Sequence, residues 1–251
     1  MYEIGILGGM GPLATSMLLE MIISRTYALC DQDHLNIIVA NKSQIPDRTK
    51  FLLDPTETNP LPKLIEGIKE LNKLNPRIVL IPCNTSHYFI KELQNISAAP
   101  IINMVQNTTA YIKQSDLPKS VVILGTLGTV KTRIYEIFDT CGLNIEYPQE
   151  EECQKINDII YLIKYSGEKV LYQCAKKLTQ IINGISSRST EQKTFILGCT
   201  ELSALNQYIL GNRYKIVDAM ELLALSAILQ SGKKVQNHKK YSIDIISKNL
   251  I

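Results

Sequence analysis

Two cysteines close apolar runs, and each is followed at once by side chains that form hydrogen bonds. "RIVLIPCNTSHYF" (Arg77–Phe89) reaches Cys83 and then Asn84, Thr85 and Ser86. "KTFILGCTEL" (Lys193–Leu202) reaches Cys199 and then Thr200 and Glu201. A thiolate is a base and a thiol an acid, so such positions could move protons. A lone cysteine here reads most simply as a small buried hydrophobe. Two in matching contexts shift the weighing, because ligands of open parallel sheets sit beyond the carboxyl ends of strands. Thr85, Thr200 and the N–H groups of those turns could hold an anion and a thiolate. Cys30, Cys141, Cys153 and Cys174 have no such context and read as structural.

Other candidates carry weaker signals. Gly9, Gly11 and Ala14 in "GGMGPLA" loosely match a dinucleotide-binding fingerprint, which expects an acid at the end of the second strand. That strand ends in Asn41-Lys42, so a nicotinamide cofactor is not expected. "GTLGT" (Gly125–Thr129) could cradle a carboxylate through Thr126, or be only a tight turn. Cys30-x-x-x-His34 and Cys83-x-x-x-His87 lack the tight ligand spacing of structural zinc sites, and no metal is expected. His87 reads instead as a group that orients the Cys83 turn. Arg48 in "IPDRT" is either a solvated surface residue or a bidentate fork for a carboxylate. Lys164 in "YLIKYSG" reads by itself as a snorkelling surface lysine.

These residues need elements to position them. "YEIGILGG" reads as a buried strand, and Pro12 opens a helix that continues through Cys30. "LNIIVAN" is the next strand, followed by a long loop from Lys42 to Pro60 and an amphipathic helix from Leu61. After "RIVLIPC" a helix is predicted from Ser86 to Ile96, then a strand at "PIINMV" and a helix to Lys113. The polar segment Gln114–Ser120 suits a linker, after which the pattern restarts. "VVILG", a helix over 131–142, "LNIEYP", a helical stretch from Glu152 to Ile185, "KTFILGC" and "YKIVDAM" follow in turn. Strands alternating with helices predict an α/β fold with parallel pairing. Two similar halves are expected, 1–113 completed by 214–251, and 114–213, with a thiol-bearing turn in each. The tail beyond Ser231 reads as a terminal strand or helix packed on the surface.

Bulk properties set limits. The 251 residues suffice for one large or two small domains, and 45% hydrophobic with 20% charged residues is an ordinary globular balance. A net charge of +3 gives no reason to expect nucleic acid or a membrane surface as partner. No apolar run is long enough to span a bilayer, and nothing at the start reads as a signal peptide. Six cysteines without CxxC spacing suggest free thiols in a cytoplasmic protein.

Taken in order, "GILGGMGP", "IPDRT", "PCNTSHYF", "PIINM", "LGTLGT" and "LGCTEL" resemble the aspartate/glutamate racemase superfamily, and its aspartate racemase branch in particular. The resemblance implies two α/β domains facing each other across an active-site cleft, no cofactor, a small amino-acid substrate and commonly a homodimer. Carried over by motif, it implies that Cys83 and Cys199 are the acid–base thiols. Asn84, Thr85 and Thr200 match substrate-contacting positions, with Met10, Ser86, Thr126 and Glu201 beside them. Arg48 and Lys164 match contacts to the substrate's side-chain carboxylate. Glutamate racemases carry Thr-His after the second cysteine, whereas this chain has Thr200-Glu201.

Inverting a stereocentre requires taking the Cα proton from one face and returning one to the other. Two opposed thiols supply one group per face, and hydrogen-bond donors around the α-carboxylate must stabilise the carbanion. The alternatives are a broad-specificity or glutamate racemase of the same superfamily and, from another class, a non-catalytic binding protein for acidic amino acids.

Overall fold

The structure, a computed structural model, describes residues 2–138, 140–209, 214–236 and 240–249. Its first half begins with β1 (Ile4–Gly8), α1 (Pro12–Arg25) and β2 (Ile37–Asn41). Next come α2 (Arg48–Leu53), α3 (Leu61–Asn72) and β3 (Ile78–Leu80). A 3-10 turn over Asn84–Phe89 leads into α4 (Ile90–Ile96) and α5 (Met104–Gln114). The three strands are parallel in the order β2-β1-β3, with Ile6 opposite both Val39 and Leu80. β1 is buried along its whole length, as a strand covered on both faces must be, which is why its sequence does not alternate.

The second half repeats the plan. It contains β4 (Ser120–Leu124), α6 (Leu127–Lys131), β5 (Asn144–Glu146) and α7 (Glu150–Ser166). α8 (Leu171–Ser187), β6 (Thr194–Leu197), α9 (Thr200–Ser203) and β7 (Lys215–Asp218) complete it. These strands are also parallel, in the order β5-β4-β6-β7. In each half the first strand sits between the second and third, and the thiol lies just beyond the third.

The chain then runs into α10 (Ala219–Gln230), whose residues Ala219 to Ile228 are all buried. A helix apolar on every side belongs in a core. Here Leu222 and Leu223 join one cluster with Ile4 and Ile6 of β1 and Val121 and Ile123 of β4, so the two sheets share a core. β7 hydrogen-bonds β6, which puts Lys215–Asp218 in the second sheet. The segment expected to rejoin the first half from 214 therefore does so only from α10 onward. The tail forms α11 (Ile243–Lys248), anchored by buried Ile246 and by Tyr241 stacked edge-on against Tyr111 at 5.3 Å.

Several elements differ from their predicted extents for local reasons. α1 stops at Arg25, and Thr26 turns extended to form a single bridge to Val235. The segment predicted as a strand at 100–105 makes only the bridge Val79–Ile101, because the Asn103 side chain accepts from Val105 N and Gln106 N and starts α5. The helix predicted over 131–142 ends at once. Arg133 takes a left-handed conformation at φ +48°, and a 3-10 turn follows at Ile134–Glu136. Inside the long loop, Asp47 caps α2 by accepting from Thr49 N and Lys50 N. Among the described residues no helix is long and apolar enough to cross a membrane.

Candidate active site

Cys83 is set up by the exit of β3. Ile81 and Pro82 carry the chain outward, and Cys83 is extended at φ −157° before the 3-10 turn begins. His87, one turn on, holds the Cys83 carbonyl with Nδ1 at 2.9 Å, while its Nε2 accepts Met104 N at 3.1 Å. That network requires the Nδ1–H tautomer. Burial holds the imidazole's pKa below its ordinary value, which suits a neutral ring. Both ring nitrogens are engaged in fixing the turn to the start of α5, the orienting role read for His87 from its position.

Cys199 is set up in the same way beyond β6. Gly198 N donates to Leu124 O at 2.7 Å, which keeps the turn against β4. Cys199 is extended at φ −143° and precedes the short α9. Its Sγ donates to Glu201 Oε2 at 2.9 Å. Burial pushes this thiol well above its usual pKa and the Glu201 charge adds to the rise, while the Lys164 ammonium opposes it. Thr200 Oγ1 reaches Pro82 O at 3.3 Å, from the second half to the first.

The two thiols line one closed pocket of about 10 Å3. Around it the structure brings together Met10, Arg48, Asn84, Thr85, Thr126, Lys164, Thr200 and Glu201. Ser86 does not join them. It is fully buried behind the pocket and donates to Met10 Sδ at 3.2 Å. Larger hollows, such as one of about 460 Å3 lined by Arg25, Ser203, Asp218 and Glu221, have no cysteine in their walls.

Three hydroxyls meet across the cleft, with Thr85 Oγ1, Thr126 Oγ1 and Thr129 Oγ1 each 3.2 Å from the other two. Thr126 caps α6, and Gly128 lets α6 approach α2, since a Cβ there would lie 3.0 Å from Thr49 Cα. Asn84 Oδ1 accepts from Tyr135 Oη at 2.6 Å. Its Nδ2 finds no partner among the described residues, so that amide donor is available to the pocket.

Arg48 is 6% exposed and is held by backbone. Nη1 donates to Ile45 O and Pro46 O and Nη2 to Met10 O at 2.9 Å, while Nε has no partner among the described residues. Burial works against its charge, but the neighbouring Cys83, Asp47 and Glu201 raise its pKa overall. Lys164 is half-buried, with Nζ 5.0 Å from the centre of the Tyr161 ring. Its desolvation is likewise outweighed, here by Glu201 and Cys199, with Arg48 opposing them. Both cations therefore stay charged beside the thiols.

Five contributors were not singled out from the sequence: Thr49, Thr129, Tyr135, and Asp47 with Tyr161, whose 2.7 Å hydrogen bond crosses the mouth of the cleft. Thr129 had a signal as the last residue of the glycine–threonine cluster, and Asp47 and Thr49 as the neighbours of Arg48 in "IPDRT".

The arrangement brings two thiols and several hydrogen-bond donors to one small pocket, and comparison with known proteins identifies the family. The Asp/Glu/hydantoin racemase family profile matches residues 7–227. The broad-specificity amino-acid racemase RacX of Bacillus subtilis (strain 168) is 28% identical over 234 residues, 90% of this chain and 96% of the relative. The aspartate racemase of Picrophilus torridus superposes with a TM-score of 0.81 at 26% identity, covering 98% of this chain and all of that one. An aspartate racemase homologue from Pyrococcus horikoshii OT3 has the same fold, with a TM-score of 0.69 at 20% identity over 92% of this chain and 100% of its own. The chain belongs to the Asp/Glu/hydantoin racemase family and is, as racemases are, an isomerase.

Proposed function

We propose that the protein interconverts L- and D-aspartate without a cofactor, Cys83 and Cys199 exchanging protons with the two faces of Cα. The observation that carries this reading is the pocket itself. Two thiols from separate sheets line it together with two retained cations, Arg48 and Lys164. Cα–H of an amino acid is a weak acid, and its removal needs donors aimed at the developing carbanion and carboxylate charge. Asn84 Nδ2, Thr85, Thr126 and Thr200 are placed to supply them. Arg48, through its unpartnered Nε, and Lys164 would hold the side-chain carboxylate. One thiol acts as the thiolate base and the other as the thiol acid, the roles exchanging for the opposite enantiomer.

A second reading, a broad-specificity racemase, is favoured by the 28% identity to RacX. Two cations retained in so small a pocket favour a substrate that brings a second carboxylate, which is the argument for an acidic side chain. Incubating the reduced protein with L-aspartate in D2O, without added pyridoxal phosphate, tests the reading. Loss of the Cα–H signal with growth of D-aspartate is the expected result. Exchange of neutral amino acids at equal rates would replace aspartate with the broader reading. Aspartate binding without exchange would leave only a binding protein.

A further inference from the structure

The Cys199–Glu201 contact goes beyond substrate binding, and its role in turnover rests on the racemase reading of this site. Glu201 is 3% exposed and accepts the Cys199 Sγ–H at Oε2, 2.9 Å away. Its other oxygen, Oε1, accepts no hydrogen bond from any described residue. Oε1 lies against Gly11, where an added Cβ would come within 2.8 Å of it and push the carboxylate aside. Gly11 does not line the closed pocket. It lines an adjoining vestibule of about 200 Å3, bounded by Ser43, Tyr161 and Tyr165, and Glu201 lines both spaces. One carboxylate thus holds the catalytic thiol on one side and reaches toward the outer vestibule on the other.

We propose that Glu201 is the proton-holding partner of Cys199, taking the Sγ proton when Cys199 must act as the base and returning it in the reverse reaction. In one direction the S–H bond breaks, an O–H bond forms on Glu201, and the negative charge passes to sulfur. The Cys199 thiolate then removes the Cα proton and the Cys83 thiol delivers one to the other face. This leaves Cys83 as the thiolate, with Cys199 and Glu201 both protonated. In reverse, Cys83 takes the Cα proton, Cys199 gives up its own, and Glu201 reprotonates the sulfur. Protons balance in each direction, and a further turnover in the same direction needs only the Glu201 proton to be returned to Cys83 by exchange with solvent.

The charged groups that face Glu201 are Arg48 on α2, Lys164 on α7 and the two thiols. Asp218 and Glu221 pack on the Ser203 end of α9, away from the thiol, with Asp218 Oδ1 accepting Ser203 Oγ at 2.7 Å. Glu201 acts through Cys199, as a positioning and proton-holding residue.

The test uses Glu201→Gln and Glu201→Asp in the full chain, read in two ways. The pH dependence of iodoacetamide labelling at Cys199 is followed by peptide mass spectrometry, and racemisation is followed by chiral assay. Glutamine keeps an acceptor beside the sulfur and removes both the charge and the proton-accepting site. Labelling of Cys199 in Glu201→Gln should therefore move to lower pH while kcat falls by about 10²- to 10⁴-fold, the usual worth of a proton-transfer group. Aspartate, which keeps the carboxylate, should recover part of kcat. A more available thiolate with lower turnover separates proton holding from a purely electrostatic or structural role. Turnover within threefold of wild type in Glu201→Gln overturns the proposal, as does lost turnover with unchanged labelling. A wild type that racemises no amino acid brings down the racemase reading and this proposal with it. An active wild type beside an equally active Glu201→Gln removes this proposal alone.

Discussion

The turns bearing Cys83 and Cys199 occupy the same place in matching halves, yet their nearest polar neighbours differ. Cys83 lies beside the Arg48 guanidinium and has its carbonyl pinned by neutral His87. Cys199 donates to the Glu201 carboxylate and is pushed upward in pKa by burial and by that charge. Repetition of the β-strand plan provides two thiols facing one pocket. Cys83 has the Arg48 cation beside it, whereas Cys199 has the Glu201 carboxylate in hydrogen-bond contact and the Lys164 ammonium opposing it. A repeated scaffold therefore places its two thiols in unlike electrostatic settings.

The largest effects should come from removing either sulfur. Cys83→Ser and Cys199→Ser should each lower kcat for both enantiomers by about 10²- to 10⁴-fold. A chiral assay in which one variant stays near wild type would break the pairing. Arg48→Ala should come next. Losing one partner of a desolvated charge pair costs about 2–5 kcal/mol, so kcat/KM for aspartate should fall by roughly one and a half to four decades. Exchange of a neutral amino acid such as alanine should fall much less, and the ratio of the two rates reads the cation's role directly.

A smaller effect distinguishes the Cys199 side through stability. Its thiol pKa is raised in the fold, so the folded state favours the protonated form. That contribution is complete below the ordinary thiol range of about 8.5 and is lost as pH rises above it. Thermal melts from pH 7 to 10 should show the wild type losing Tm at the alkaline end faster than Cys199→Ser. Equal slopes would mean that the buried thiol makes no difference to folding. Tyr135→Phe should cost the least, about 1 kcal/mol by denaturant titration, because one buried hydrogen bond to Asn84 is lost. Its signature is a raised KM from an amide no longer held in orientation.

Much of this was legible in the sequence, because the informative residues sit in short turns. Cys83 with Asn84 and Thr85, Cys199 with Thr200 and Glu201, and Thr126 at the head of α6 each announce a strand end within a few positions. The parallel α/β class followed from apolar runs alternating with amphipathic ones. What stayed hidden depends on residues distant in the chain. Tyr135 meets Asn84 across 51 positions and Tyr161 meets Asp47 across 114, and no local pattern marks either pair. Ser86 shares the motif of Cys83, but the 3-10 turn points it toward Met10 behind the pocket. β7 looks like any short apolar strand, and only its pairing with β6 assigns it to the second sheet.

The space between the thiols, about 10 Å3, holds roughly one water, far less than a dicarboxylic amino acid. The front of the cleft is fastened by Tyr161 Oη on Asp47 and Lys131 Nζ on Leu53 O. The continuous core around α10 joins the halves at the back. On the proposed function, a substrate seated between the thiols would need the front to unfasten while the back stays closed, and turnover would then include a mechanical gate as well as a chemical barrier. If that gate sets the pace, kcat will fall as glycerol thickens the solvent, and Tyr161→Phe will weaken the dependence by removing one fastener. Insensitivity to viscosity in both proteins would return the pace to the proton transfers.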